Sequence, residues 1–128
     1  PCQSSAASDV YKRQHLFRDL ALNGADLITV PSVFMHITGK DHWHSLLKAR
    51  AIETGCYIIA PAQYGHYFNK RKSYGHSLIV SPWGKILKDA KTEKNIIITD
   101  IDKRQIEIAR SKIPSLSINK KYKINLMI

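Results

Sequence analysis

Residues 38–84 read TGKDHWHSLLKARAIETGCYIIAPAQYGHYFNKRKSYGHSLIVSPWG, and the order of elements in this stretch decides the fold. Asp41 stands where it can cap a helix over HWHSLLKARAIETG, and Gly55 stands where that helix closes. Trp43, Leu46, Leu47 and Ile52 give the helix apolar surface, while Arg50 and Glu53, spaced i and i+3, can pair on one side. CYIIAPA follows as a short apolar run, expected to be a strand covered on both faces. YGHYFNKRKSYG is polar and bounded by glycines, a loop long enough to suggest function rather than mere connection. HSLIVSP is the next strand, and Pro82-Trp83-Gly84 turns the chain into KILKDA.

Working outward, LFRDLALNG places Leu16, Phe17 and Leu20 on one helical face, with Gly24 where a left-handed cap is needed. DLITVPS is a second apolar strand, expected to be covered on both faces, and Pro31 ends its hydrogen bonding. Downstream, NIIITDID is expected to be a further buried strand, with Asp100 or Asp102 capping the helix DKRQIEIARSKI. The tail SLSINKKYKINLMI is basic and lacks periodicity. The order is helix, strand, helix, three strands, helix. Apolar strands interleaved with helices make the fold class α/β, a layered sheet whose first and last elements look cut from a larger one.

The chain has 128 residues, enough for one domain or a piece of a larger one. No apolar run approaches the ~20 residues that span a bilayer, so no membrane partner is expected. Residues 1–14, PCQSSAASDVYKRQ, have no apolar h-region and are small, polar and aperiodic. They are set aside as a non-native or disordered segment, and residues 15–128 are taken as the domain. Cys2 and Cys56 sit in unrelated contexts and make no disulfide framework, which fits a reducing, cytoplasmic location. Cys56, in an apolar run, is expected to pack as a small hydrophobe. The net charge of +10 raises the alternative of a non-enzymatic basic domain that binds nucleic acid or only oligomerises. Its positive residues are spread along the chain, with local excess at Lys70-Arg71-Lys72 and Lys120-Lys121. No nucleic-acid-binding signature accompanies them, so nucleic acid is not the expected partner.

Three motifs, LALNGADLITVPSVF, ITGKDHWHSLLKARAIETGCYIIAPAQ and YGHSLIVSPWG, together resemble the C-terminal half of a nitrilase-superfamily carbon–nitrogen hydrolase. The resemblance covers about residues 16–118 and is strongest to the branch of deaminated-glutathione amidase and omega-amidase-type enzymes. It implies a partial α-β-β-α sandwich, a homo-oligomer, no cofactor and no metal. It also implies a Glu-Lys-Cys catalytic set acting on a small carboxylate-bearing amide through a thioester. The family's nucleophile precedes the helix that begins at Leu16, where this chain has SDVYKRQH. Cys2 lies too far upstream and Cys56 falls at a structural position. No catalytic residue is therefore carried over, and the chain is expected to be a fragment, inactive alone.

What the resemblance does carry over is a pocket wall, for which Ser32, Phe34, Thr38, His44 and Gln63 are the candidates. Ser32, Val33 and Phe34 follow a strand end, where α/β sheets place ligand loops. Thr38 and Gly39 lead into a helix whose N-terminus can face an anion. His44 stands where the family commonly has Glu, which puts any acidic role there in doubt. Gln63, with His66 and Tyr74, lies on or near the polar loop. Against these stand plainer assignments. His42 and His44 are spaced i, i+2 and point apart, so they are not expected to share a metal. Trp43, Trp83 and His76 are expected to pack, and Ser77 lacks a nucleophile elbow. Ser81 replaces the family's usual Asp before Pro-Trp-Gly and can cap that turn more weakly.

Overall fold

The computed structural model describes residues 5–66 and 71–118. Lys70, Cys2 and the Lys120-Lys121 pair therefore lie outside the described residues. The elements in chain order are α1 (Ser5–Lys12), α2 (Gln14–Leu22), β1 (Leu27–Thr29), α3 (His36–Thr54), β2 (Tyr57–Ala60), β3 (Leu78–Val80), β4 (Ile86–Asp89) and α4 (Lys103–Lys112). The four strands form one sheet in the order β1-β2-β3-β4. β1 and β2 are parallel, with Ile28 opposite Ile58. That pairing requires the crossover that α3 supplies. β2–β3 and β3–β4 are antiparallel.

The helix ends follow local chemistry in several places. After α2, the Ala25 N–H bonds the Leu20 carbonyl and the Gly24 N–H bonds that of Ala21. This is a Schellman closure, with Gly24 at φ +95° as the glycine signal required. Gly55 closes α3 in the left-handed conformation, and Asp102 caps α4 by accepting from the Arg104 N–H. The start of α3 is different. Asp41 lies inside the helix, which begins five residues earlier with Met35 as an N-cap that makes no side-chain bond. The first-turn His36 N–H is instead satisfied by the Lys72 carbonyl, and Met35 bridges Ser73. A segment distant in sequence thus supplies the partner that a side-chain cap would otherwise provide.

The core forms where α3 meets the sheet. Trp43, Leu47 and Ala51 recur every four residues and are fully buried, together with Ile58, Ala60 and Val80 on the strands. Phe17 and Ala21 of α2 join the same cluster. Arg50 is buried and bonds Glu53 at 2.7 Å, as its spacing suggested. Its other terminal nitrogen donates to the Val10 carbonyl at 2.6 Å. That contact reaches into the segment set aside as aperiodic. Ser5–Lys12 are helical, Val10 is fully buried, and Tyr11 stacks on Phe34 at 5.4 Å.

Two strand expectations are corrected. β1 buries only alternate residues, Ile28 but not Leu27 or Thr29, because one of its faces is uncovered among the described residues. NIIITDID forms no strand, and Ile96 and Ile98 are 83 % and 78 % exposed. The fourth strand is β4, which the Pro82-Trp83-Gly84 turn folds back onto β3. Ser81 Oγ accepts the Lys85 N–H at that turn. Apolar content alone does not make a strand, since the backbone needs a ladder partner. Residues 95–102 find none among the described residues.

Candidate functional site

Parallel β1 and β2 are each followed closely by a proline, Pro31 and Pro61, and the chain then splays into two short loops. Between them lies an open cleft of about 510 Å³ lined by Pro31, Ser32, Val33, Pro61, Ala62, Gln63 and Ser77. This is the carboxyl edge of parallel strands, the usual ligand position in α/β sheets. The walls are held by backbone bonds, Ser32 N–H to Pro61 O at 2.9 Å and Gln63 N–H to Ser32 O at 3.0 Å. Ser77 Oγ accepts the Ala62 N–H at 2.9 Å and locks the third side. Ser32 is 7 % exposed, and its hydroxyl oxygen is buried with no hydrogen-bond partner among the described residues. A buried hydroxyl without a partner costs stability, and this one stands at the wall of the cleft.

The five candidate positions do not come together. Ser32 and Gln63 line the cleft. Phe34 does not: it is 2 % exposed and packs between Tyr11 and Trp43, with ring centroids 5.4 and 4.9 Å away. Thr38 is exposed in the first turn of α3, where its hydroxyl bonds back to the Met35 carbonyl. His44 lies in a separate cluster. Pro31, Pro61, Ala62 and Ser77 were not among the candidates. The prolines that follow β1 and β2 were the available signal.

The second cluster joins α3, the end of the long loop and β4. His44 Nε2 lies 3.0 Å from Asp89 Oδ2, and His76 Nδ1 lies 3.0 Å from Asp89 Oδ1. Tyr74 stacks on His76 at 4.3 Å, and its hydroxyl lies 3.4 Å from His44 Nδ1. His76 is in the left-handed conformation at φ +59°, unusual for a residue with a Cβ. It is held there by its N–H on the Lys91 carbonyl and by the Trp43 indole N–H on its own carbonyl. Burial pushes the Asp89 carboxyl up, but bonds from His44, the Lys91 N–H and His76 outweigh this and hold it below the usual carboxylate range. Burial, with the charges of Asp89 and Asp41, raises the Tyr74 phenol. His42 turns away to the Tyr11 hydroxyl, and His36 packs on Tyr74. His66 pairs across the loop with Lys72.

Cys56 is fully buried just before β2, with its sulfur on the Ala25 carbonyl and beside the Arg110 guanidinium. It is more than a packed hydrophobe, since its thiol is hydrogen-bonded. Ala62 lies six residues beyond Cys56, across β2, which places the thiol about 20 Å from the cleft at strand rise.

Comparisons with known proteins agree with this architecture. The family described as carbon-nitrogen hydrolase matches residues 14–111. Deaminated glutathione amidase of Synechocystis sp. is 46% identical over 101 residues, 79% of this chain and 37% of the relative. The Homo sapiens deaminated glutathione amidase is 44% identical over 95 residues, 74% of this chain and 29% of the relative. The chain therefore spans about a third of the length of these curated relatives. Among solved structures, the C. elegans NitFhit protein superimposes with a TM-score of 0.82 at 37% identity, covering 88% of this chain and 27% of that one. Saccharomyces cerevisiae Nit3, of the nitrilase superfamily, superimposes with a TM-score of 0.77 at 32% identity, covering 84% and 39%.

Proposed function

The chain belongs to the carbon–nitrogen hydrolase family, and from that premise we propose that it supplies one wall of the substrate cleft of a cysteine-dependent amidase. The substrate class is a small, carboxylate-bearing amide, as the names of the deaminated glutathione amidase relatives suggest. The observation that carries this proposal is the cleft at the ends of β1 and β2, where the buried Ser32 hydroxyl has no partner among the described residues. Ser32 and Gln63 bind and orient the amide or its carboxylate, and Ser77 fixes the loop between them. The nucleophile is a thiol outside the described residues. It attacks the amide carbon and expels the amine, and water then hydrolyses the thioester. Cys56 is unsuited to this role because it is buried at the opposite end of β2. The chain alone is accordingly expected to give no turnover, and the working enzyme is an oligomer.

The test is a chimera in which residues 14–111 replace the matching region of the Synechocystis relative. Hydrolysis of deaminated glutathione is followed by amine release, before and after thiol alkylation. Activity that alkylation abolishes, and that falls in Ser32→Val, is the expected result. A folded chimera without hydrolysis, or one indifferent to alkylation, overturns the proposal.

A further inference from the structure

Outside the cleft, the described residues bring three ligand-type side chains to one point. The donor atoms of His44, His76 and Asp89 all lie within 4.8 Å of one another. We propose that these three residues form a binding site for a divalent transition metal, with zinc the best fit. This rests on geometry independent of the amidase reading.

The distances decide the fit. Around a tetrahedral zinc with bonds of about 2.0 Å, neighbouring ligand atoms lie about 3.3 Å apart. Both imidazole nitrogens already stand 3.0 Å from the Asp89 carboxylate. Those two separations need to open by only a few tenths of an ångström, and the two rings need to close toward each other. Two imidazoles and one carboxylate, with further positions left for water, suit zinc and its neighbours rather than magnesium or calcium. The side chains are 27%, 19% and 24% exposed, so a hydrated ion can reach them.

The surrounding groups orient the ligands. The Tyr74 hydroxyl, 3.4 Å from His44 Nδ1, can accept a proton held on Nδ1, the tautomer that leaves the Nε2 lone pair for metal. The Lys91 N–H holds Asp89 Oδ1 at 2.7 Å, and the Trp43 indole fixes the backbone of His76. Such outer partners are what a metal site requires beyond its ligands. Without metal, each imidazole can present an N–H to the one carboxylate. On metal binding that proton moves to the ring's other nitrogen, or to solvent from a doubly protonated ring, and the freed lone pair joins the carboxylate in holding the ion.

The test uses the metal-free 128-residue chain titrated with zinc by calorimetry, and with cobalt(II) by visible absorption. One equivalent is expected to bind, with the imidazole NMR signals of His44 and His76 shifting while those of His15, His42 and His66 stay. His44→Gln and Asp89→Asn should each weaken binding about 100-fold, and Tyr74→Phe about tenfold. His42→Ala should leave binding unchanged. Circular dichroism checks the fold of each variant, and the wild-type imidazole shifts decide the matter even if one variant unfolds. Zinc bound no tighter than about 1 mM, shifts at other histidines, or undiminished binding in folded His44→Gln overturns the proposal. In that case the cluster is a hydrogen-bonded structural network only.

Discussion

Gly39→Ala sets two effects of opposite sign against each other. Gly39 is in the first turns of α3, where alanine is favoured over glycine by about 1 kcal/mol. Propensity alone therefore predicts stabilisation. The packing predicts the reverse. A Cβ at position 39 would lie 2.5 Å from Tyr74 Cβ, 2.6 Å from its Cγ and 2.8 Å from Cδ1. A change of rotamer can swing Cγ and Cδ1 aside, but the Cβ is fixed by the backbone and no rotamer moves it. The Tyr74 backbone is itself tied by its N–H to the Phe34 carbonyl at 2.8 Å. Relief therefore requires backbone displacement, at the upper end of the ~1–3 kcal/mol typical of overpacking. The net expectation is about 2 kcal/mol of destabilisation, a fall in Tm of roughly 8 °C for a domain of this size. Thermal and urea unfolding measure it. The control is the same substitution in a Tyr74→Gly background, where the obstructing Cβ is gone and alanine should stabilise. An unchanged or raised Tm for Gly39→Ala in the wild-type background refutes the assignment of Tyr74 to this close approach.

Three further outcomes follow. Val10→Ala should cost about 2 kcal/mol, since it removes buried methyl groups from a residue with no exposed surface; an unchanged urea midpoint would show that α1 does not dock on the core. Ser81→Asp should add about 0.5 kcal/mol by strengthening the bond to the Lys85 N–H, and a lower midpoint would contradict that account of the turn. The Arg104 side chain and N–H hold the Asp102 carboxyl below the usual carboxylate range, so its folded value is lower than its unfolded value of about 3.9. Its contribution to stability is therefore present above the unfolded value and lost as pH falls through the folded one. The Tm difference between wild type and Asp102→Asn should be constant from about pH 5 to 7 and shrink below about pH 4. A difference that is flat across that acid range would show that the carboxylate contributes nothing there.

Where an element is determined by its own residues, the sequence was sufficient. Gly24 and Gly55 end their helices because only a residue free of a Cβ takes those conformations without cost. The Arg50–Glu53 pair follows from helical spacing. Where a distant segment completes an element, local pattern misleads. Asp41 looked like a cap, yet the helix starts at His36 because Lys72, far along the chain, accepts its first N–H. Residues 95–102 have the composition of a strand, but a ladder is a property of two segments. KILKDA, less apolar, became β4 because a tight turn delivers it to β3.

The same distinction governs the site. Ser32 was singled out as following a strand end and Gln63 as lying by the polar loop, and the two meet on the cleft because the ends of a parallel pair share one edge. Phe34 was placed with them by proximity in sequence. Its burial against Trp43 gives it a different task, since that indole also bonds the His76 carbonyl. Trp43, read from composition as a packing residue, thus touches both the residue beyond the cleft wall and the backbone of the second cluster. Asp89 had no local signal at all. It lies in a short strand of ordinary sequence, and its partners are 13 and 45 residues away. What gathers His44, His76 and Asp89 is the packing of α3 across the β3–β4 hairpin, together with a left-handed backbone at His76 that two tertiary hydrogen bonds maintain. A constellation assembled in this way carries no spacing motif, and side-chain chemistry can reveal it only after the chain has been folded.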